Sequence, residues 1–215
     1  MRGALAAAAM LAALLGAAGP AAAHPHGWID LQVTIGFDDQ GRIATLRETW
    51  LFDDAYSAFA TGGMDNDGDG RPDQALLEEL LQENITNLAE YDYFTKARQD
   101  ERNIGFGTPT DLATRMEGGR LEIAFTLPLA EPVSPRDGAF SYSIYDPTYY
   151  IEMVHAEDPA AIRLEAAPED CHANLLPPNP TGDQVAMASA LDATQTGWDG
   201  LGALFAEVVP VRCGD

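Results

Sequence analysis

Four histidines are all the imidazoles in this 215-residue chain, and two of them, His24 and His26, stand within three residues of each other. Imidazole is the commonest protein ligand for zinc, copper and nickel. The run Ala21-Ala22-Ala23 immediately before them is a small-residue site of the kind signal peptidase cuts. A cut after Ala23 makes His24 the mature N-terminus and adds an α-amino group to the two rings. Three nitrogen donors then lie in one short stretch, and the pattern predicts a transition-metal site. Trp28-Ile29-Asp30 leads straight into an apparent strand, which holds the terminus down.

A second cluster offers oxygen instead of nitrogen. In Asp65-Asn66-Asp67-Gly68-Asp69-Gly70-Arg71-Pro72-Asp73, acids stand at positions 1, 3, 5 and 9 and glycine at position 6. That is the pattern of a calcium loop, in which alternate carboxylates converge on one hard cation and glycine permits the sharp turn. The Arg71 carbonyl supplies the seventh-position ligand. Position 12 is Leu76 where a bidentate glutamate is expected, and Glu78 from the following helix is the substitute. An affinity of roughly 10⁻⁴ to 10⁻³ M follows, as in extracellular calcium modules.

The elements that must position these groups read as α+β. From Ile29 to Phe37 apolar and polar residues alternate, Asp38-Asp39-Gln40-Gly41 is turn chemistry, and alternation resumes through Ala44, Leu46, Glu48, Trp50 and Phe52. The opening is therefore a β-hairpin. Leu76, Leu77, Leu80, Leu81, Ile85 and Leu88 recur at helical spacing, and the helix is expected to run on through Tyr91 and Phe94 to about Arg98. Residues 53–100 thus form a helical insertion carrying the acidic loop. Phe106–Met116 and Leu121–Leu129 pair around Gly118-Gly119, Phe140–Tyr145 is a strand, and Ala161–Ala166 is a short one. Gln184–Leu191 is a short helix, and Trp198–Val211 is expected to return to the sheet as a final strand. The architecture is an antiparallel sheet or sandwich with one helical insertion.

Residues 1–23 carry one charge, Arg2, ahead of an alanine- and leucine-rich core, and read as a secretory signal. Residues 24–215 are expected to form a single periplasmic domain that does not itself span the membrane. Thirty-four acidic residues against twelve basic ones give a net charge of −22, which repels nucleic acid and attracts cations. In an exported chain the two cysteines, Cys171 and Cys213, are expected to form a disulfide, which is favoured over a Cys171-His172 metal pair. No G-x-S-x-G setting and no glycine-rich phosphate loop is present, so an enzyme is not expected.

Several motifs taken together resemble one family. They are His24-Pro25-His26-Gly27-Trp28-Ile29-Asp30, Trp50-Leu51-Phe52-Asp53, the acidic loop with its Leu/Glu helix, Asn87-Leu88-Ala89-Glu90-Tyr91-Asp92-Tyr93-Phe94, and Tyr145-Asp146-Pro147-Thr148-Tyr149-Tyr150. The chain resembles the bacterial exported proteins labelled a domain of unknown function and described as the periplasmic component of an uncharacterised ABC-type transport system. Members are encoded beside nickel/cobalt-type permeases, and one branch is implicated in zinc uptake. The resemblance implies an accessory protein that binds a transition metal and works with an inner-membrane permease. The positions it carries over are His24, His26 and Asp146.

The leading expectation is therefore a carrier of zinc, nickel or cobalt, with His155 completing a tetrahedral set around His24, His26 and Asp146. Asp146 has an equal claim as an Asx-turn cap. Two other classes compete. One is a copper enzyme with an N-terminal histidine brace, which needs His155 or His172 as its second ring. The other is a calcium-stabilised interaction module in which the histidines are incidental.

Overall fold

The computed structural model describes residues 25–191 and 197–214, so His24 and the expected signal segment lie outside the described residues. Strand β1 (Gly27–Phe37) and strand β2 (Ile43–Phe52) form the hairpin that the alternation predicts, with Ile35 opposite Leu46. Asp38 builds the turn: its Oδ1 accepts from the backbone N–H groups of Gln40 and Arg42, each at 2.9 Å. Strands β3 (Thr95–Gln99) and β4 (Arg102–Ile104) follow the helical insertion. The next pair, β5 (Thr110–Glu117) and β6 (Arg120–Val133), turns at Gly118-Gly119, where both glycines have positive φ. That hairpin conformation is cheap for glycine alone.

Two sheets result. The first has the order β5-β6-β2-β1-β8, where β8 is Ile151–His155, and β9 (Ile162–Glu165) also pairs with β1. Both β8 and β9 run parallel to β1, lying one after the other along its free edge, whereas an antiparallel sheet was expected throughout. The second sheet, β10-β11-β7-β3-β4, is wholly antiparallel and contains β7 (Phe140–Ile144), β10 (Cys171–Ala173) and β11 (Val209–Cys213). One core joins them: Ile29, Leu31, Val33, Trp50 and Phe125 of the first sheet pack with Phe140, Tyr142, Ile144, Val209 and Val211 of the second. The α+β class and the packed sheets agree with the expectation.

The helical part is shorter than its periodicity predicts. Helix α1 (Asp54–Ala60) is followed by the acidic loop and α2 (Gln74–Leu88), which buries Leu77, Leu81 and Ile85. α2 stops at Leu88 instead of continuing to Arg98. A 3₁₀ turn covers Ala89–Phe94, and Asp92, Tyr93 and Phe94 take φ of 54°, 56° and 56°, a hand that no right-handed helix can propagate. Thr95–Gln99 then pairs with β7 and β4, so tertiary hydrogen bonding overrides the helical spacing.

The expected strand over Trp198–Val211 is likewise reduced to Val209–Cys213. Upstream, the backbone N–H groups of Gly200 and Gly202 both donate to Pro147 O, at 3.1 and 3.0 Å. A Cβ on Gly202 would sit 1.9 Å from Asp146 O, so only glycine lets this segment lie against the loop at 146–148. Helix α3 (Gly182–Ser189) begins with a capping box of Thr181 and Gln184. Cys171 stands directly opposite Cys213 in the register of β10 and β11, and the two form the disulfide. Among the described residues no helix is long and apolar enough to cross a membrane.

Candidate functional site

Four of the sequence motifs meet at one end of the sandwich. β1 starts there, and the parallel register sets Gly27 level with Ile151, which puts His26 level with Tyr150. The His26 backbone N–H donates to Tyr150 O at 2.8 Å, and the two rings lie 4.6 Å apart with a 31° tilt. Beside them the Trp28 indole N–H donates to Glu152 Oε2 at 2.9 Å, joining the two parallel strands on their outer face. The Asp53 carboxylate ties in the second motif. Oδ2 accepts from Trp28 N and Oδ1 from Tyr56 N, each at 2.8 Å, so one side chain caps α1 and fastens the start of β1. Burial works against this charge, but the N–H groups of Tyr56, Trp28 and Ala55 and the Arg120 guanidinium outweigh it and hold the carboxyl below its ordinary range. Asp30, on the same strand parity as His26, is paired with Arg120 at 2.8 Å.

Asp146 is buried and organises the loop between β7 and β8. Oδ1 accepts from Thr148 N and Thr148 Oγ1, at 2.8 and 2.9 Å, and Oδ2 from the backbone N–H groups of Tyr150 and Ile151, at 2.9 and 3.1 Å. Those four bonds occupy the lone-pair directions of a carboxylate. The Asx-turn role is thus the one this geometry displays. Because Tyr150 both donates to Asp146 and accepts from His26, the two residues named by sequence belong to one hydrogen-bonded unit.

An open groove of about 900 Å³ runs between this loop and the segment around Tyr91 and Asp92. Tyr91 and Tyr150 are 51% and 42% exposed along it, and Glu90, Asp92 and Asp199 line it with carboxylates. A smaller apolar pocket of about 170 Å³, floored by Trp50 and Ile123, adjoins it through Tyr91, Phe94 and Ile151. One wall is strained. Three successive non-glycine residues, Asp92 to Phe94, are left-handed, and so is Tyr149 (φ 58°) on the facing loop. Such residues cost on the order of 1–3 kcal/mol each and persist where the surroundings over-determine them, typically at binding sites. A cleft of about 770 Å³ between α2 and β5 is lined by none of the histidines.

His155 does not join His26. It is five residues farther along β8 than Tyr150, about 16 Å at strand spacing. It points into the core, where Nδ1 lies 2.8 Å from Glu207 Oε2 and Nε2 lies 2.9 Å from the Tyr142 hydroxyl. Both ring nitrogens are thereby engaged, and among the described residues His155 is not brought to one point with His26 and Asp146. His172 is exposed on β10 beside the disulfide.

The acidic loop does gather its carboxylates. One oxygen each from Asp65, Asp67 and Asp69 lies within 4.8 Å of the others, and among the described residues this is the one group of three or more His, Cys, Asp or Glu side chains placed to hold a metal ion. Asp65 shapes the loop: Oδ1 accepts from Gly68 N at 2.7 Å and Oδ2 from Gly70 N at 3.0 Å, with Gly68 and Gly70 at φ 78° and 85°. Arg71 N donates to Asp69 Oδ1 at 2.8 Å. Asp73 and Glu78 stand outside the group. Asp73 is the N-cap residue of α2, and Glu78 Oε1 accepts from Gln74 Nε2 at 3.1 Å.

Two residues escaped the sequence reading. In the sequence Asp53 stands in a motif and at the start of the helical insertion, but its role is that of an acid immediately before a helix, which is a cap signal. Asp53→Ala should lower stability by about 1–2 kcal/mol, or about 3–6 °C in thermal melting, by removing the cap and the tie to Trp28. A melting temperature unchanged within a degree would refute the double role. The other is Glu48, a carboxylate on the apolar parity of β2 and 0% exposed. Its two partners are the Trp50 indole N–H on Oε2 and the Thr95 hydroxyl on Oε1, each at 2.9 Å.

Two relatives resemble the chain, one along most of its length and one along less than half of it. An uncharacterised protein of Haemophilus influenzae (strain ATCC 51907 / DSM 11121 / KW20 / Rd) is 29% identical over 192 residues, covering 89% of this chain and 91% of the relative. An uncharacterised 15.5 kDa protein encoded in the trpE 3′ region of Spirochaeta aurantia is 28% identical over 104 residues, covering 47% and 74%. The family model described as a protein of unknown function, DUF1007, matches residues 9–213 and so takes in every motif gathered at the groove. The chain belongs to the DUF1007 family.

Proposed function

We propose that this chain is an exported accessory protein that binds a divalent transition metal at His24 and His26 and serves an inner-membrane metal permease. Zinc is the foremost candidate, and nickel, cobalt and copper compete for the same donors. The observation that carries the reading is the bond from His26 N to Tyr150 O, which anchors the start of β1 at the rim of the aromatic, acid-lined groove. A chain start fixed by its backbone beside an open groove suits a site that must both take up and release an ion. Asp146 acts as the organiser of that rim, and His155 belongs to the core. The acidic loop binds calcium as a separate, structural ion.

The second reading, a calcium-stabilised interaction module without a transition metal, is favoured by the Asp65, Asp67 and Asp69 group. Titration of the mature protein with zinc, nickel, copper and calcium separates the two, provided mass spectrometry has confirmed His24 as the first residue. His24→Ala/His26→Ala should abolish transition-metal binding and leave calcium binding intact, and Asp65→Asn/Asp67→Asn should do the converse. Unchanged zinc affinity in the histidine variant would leave the module reading in possession.

A further inference from the structure

We infer that Glu48 is protonated in the folded protein at neutral pH and that its proton orders the strained wall of the groove, so that ionising Glu48 loosens that wall. The inference does not depend on a bound metal and goes beyond the accessory-protein reading.

The case is a count of hydrogens. Thr95 Oγ1 lies 2.9 Å from Glu48 Oε1 and 3.0 Å from Tyr93 O. The backbone carbonyl can only accept, and the hydroxyl has one hydrogen. If Thr95 donates to Tyr93 O, its contact with an ionised Glu48 sets two acceptors face to face. If Glu48 carries the hydrogen, every contact is satisfied in one direction: Glu48 Oε1–H donates to Thr95 Oγ1, Thr95 donates to Tyr93 O, and Oε2 accepts from the Trp50 indole. Once ionised, Glu48 must draw the threonine hydrogen to itself, and Tyr93 O loses its donor.

The surroundings oppose ionisation. In the first sheet Glu48 is paired with Val33 of β1 and Phe125 of β6. The titratable group facing it across the core is Tyr142 of β7, whose hydroxyl is hydrogen-bonded to His155, itself bonded to Glu207. Among the described residues no ion pair reaches Glu48. Burial pushes its carboxyl up to about 8 despite the bonds from Thr95 and Trp50.

The carbonyl at stake is that of the middle left-handed residue. Its neighbours are held by backbone bonds, Thr95 N to Asp92 O and Tyr145 N to Phe94 O at 2.9 Å, while Tyr93 O takes the Thr95 hydroxyl. Tyr91, Asp92 and Phe94 line the groove, so a change at Tyr93 is felt there.

The test is amide exchange on the mature protein from about pH 6.5 to about pH 9.5, corrected for intrinsic rates, with the Trp50 indole resonance followed in parallel. In wild type, protection of amides 92–95 should fall about tenfold around pH 8, the loss of one buried hydrogen bond, while Val33 stays protected. The indole resonance should titrate with the same midpoint. Glu48→Gln should keep the protection at every pH and show no indole titration, since its amide donates to Thr95 and its carbonyl accepts from Trp50. Thr95→Val should keep the indole titration but leave 92–95 poorly protected throughout, and Thr95→Ser should restore the wild-type profile. An indole that does not titrate, or protection that falls alike in wild type and Glu48→Gln, overturns the proposal. Should Glu48→Gln fail to fold, the contrast between Thr95→Val and Thr95→Ser decides: equal profiles overturn it.

Discussion

Glu48→Gln should make the protein more stable than wild type by a margin that widens with pH, by about 2 kcal/mol between pH 6 and pH 8. The cause is linkage. In the unfolded chain Glu48 has an ordinary carboxyl, whereas burial raises it to about 8 in the folded state. Between those values the folded state holds a proton that the unfolded state has lost, so stability falls as pH rises. The contribution is complete below pH 4.5 and disappears as pH passes about 8, at roughly 1.4 kcal/mol per unit. Glutamine keeps the shape and both hydrogen bonds but cannot ionise. Other groups titrate in both proteins and cancel in the difference. Urea unfolding of the two proteins at pH 5, 6, 7, 8 and 9 checks this: the difference should climb to pH 8 and then level off. A difference constant across that range would mean that Glu48 is ionised in the folded state.

That residue also marks the boundary of what was legible in the sequence. Alternation put Glu48 on the same parity as Leu46, Trp50 and Phe52, and those positions are indeed buried. Its meaning required Thr95, which lies 47 residues away and on the other sheet. The hairpins were readable because Asp38, Gly41 and Gly118-Gly119 fix their turns locally. Where partners are distant, local spacing misled: Leu88 to Arg98 continues a helical period, yet β7 and β4 claim Thr95–Gln99 as a strand. The parallel seating of β8 and β9 on β1 has no local signal at all, since the connection is made by chain more than 100 residues away.

The candidate site divides in the same way. Asp65, Asp67 and Asp69 come together because their convergence is encoded within six residues by two left-handed glycines, Gly68 and Gly70. His26 and Asp146 come together because β1 and β8 pair, which no spacing foretells. His155 matched by residue type alone, and its strand parity turns it into the core toward Tyr142. Chemistry-bearing residue types pick out candidates, and only the sheet register decides which of them share a surface.

Reducing the Cys171–Cys213 bridge should lower stability by about 4 kcal/mol, or roughly 8–16 °C in melting temperature. The bridge closes a sequence separation of 42, and the chain-entropy estimate for a loop of that size gives this value. The effect should register globally because of what the bridge holds. β10 is three residues long and, among the described residues, pairs with β11 alone, which in turn pairs with β7 next to β3. Between the cysteines lie α3 and the Gly200–Gly202 segment that is bonded to Pro147 against the groove loop. Once the bridge is open, that stretch keeps the β10–β11 pairing and the Leu176–Val208 contact as its ties to the second sheet. Calorimetry with and without reductant, alongside Cys171→Ser/Cys213→Ser, measures it, and the double variant should match the reduced wild type. A shift below about 3 °C in both would show that the unfolded chain is already confined without the bridge, and the entropy argument would fail. A large shift in the reduced protein but not in the double variant would trace the loss to two half-buried thiols rather than to chain entropy.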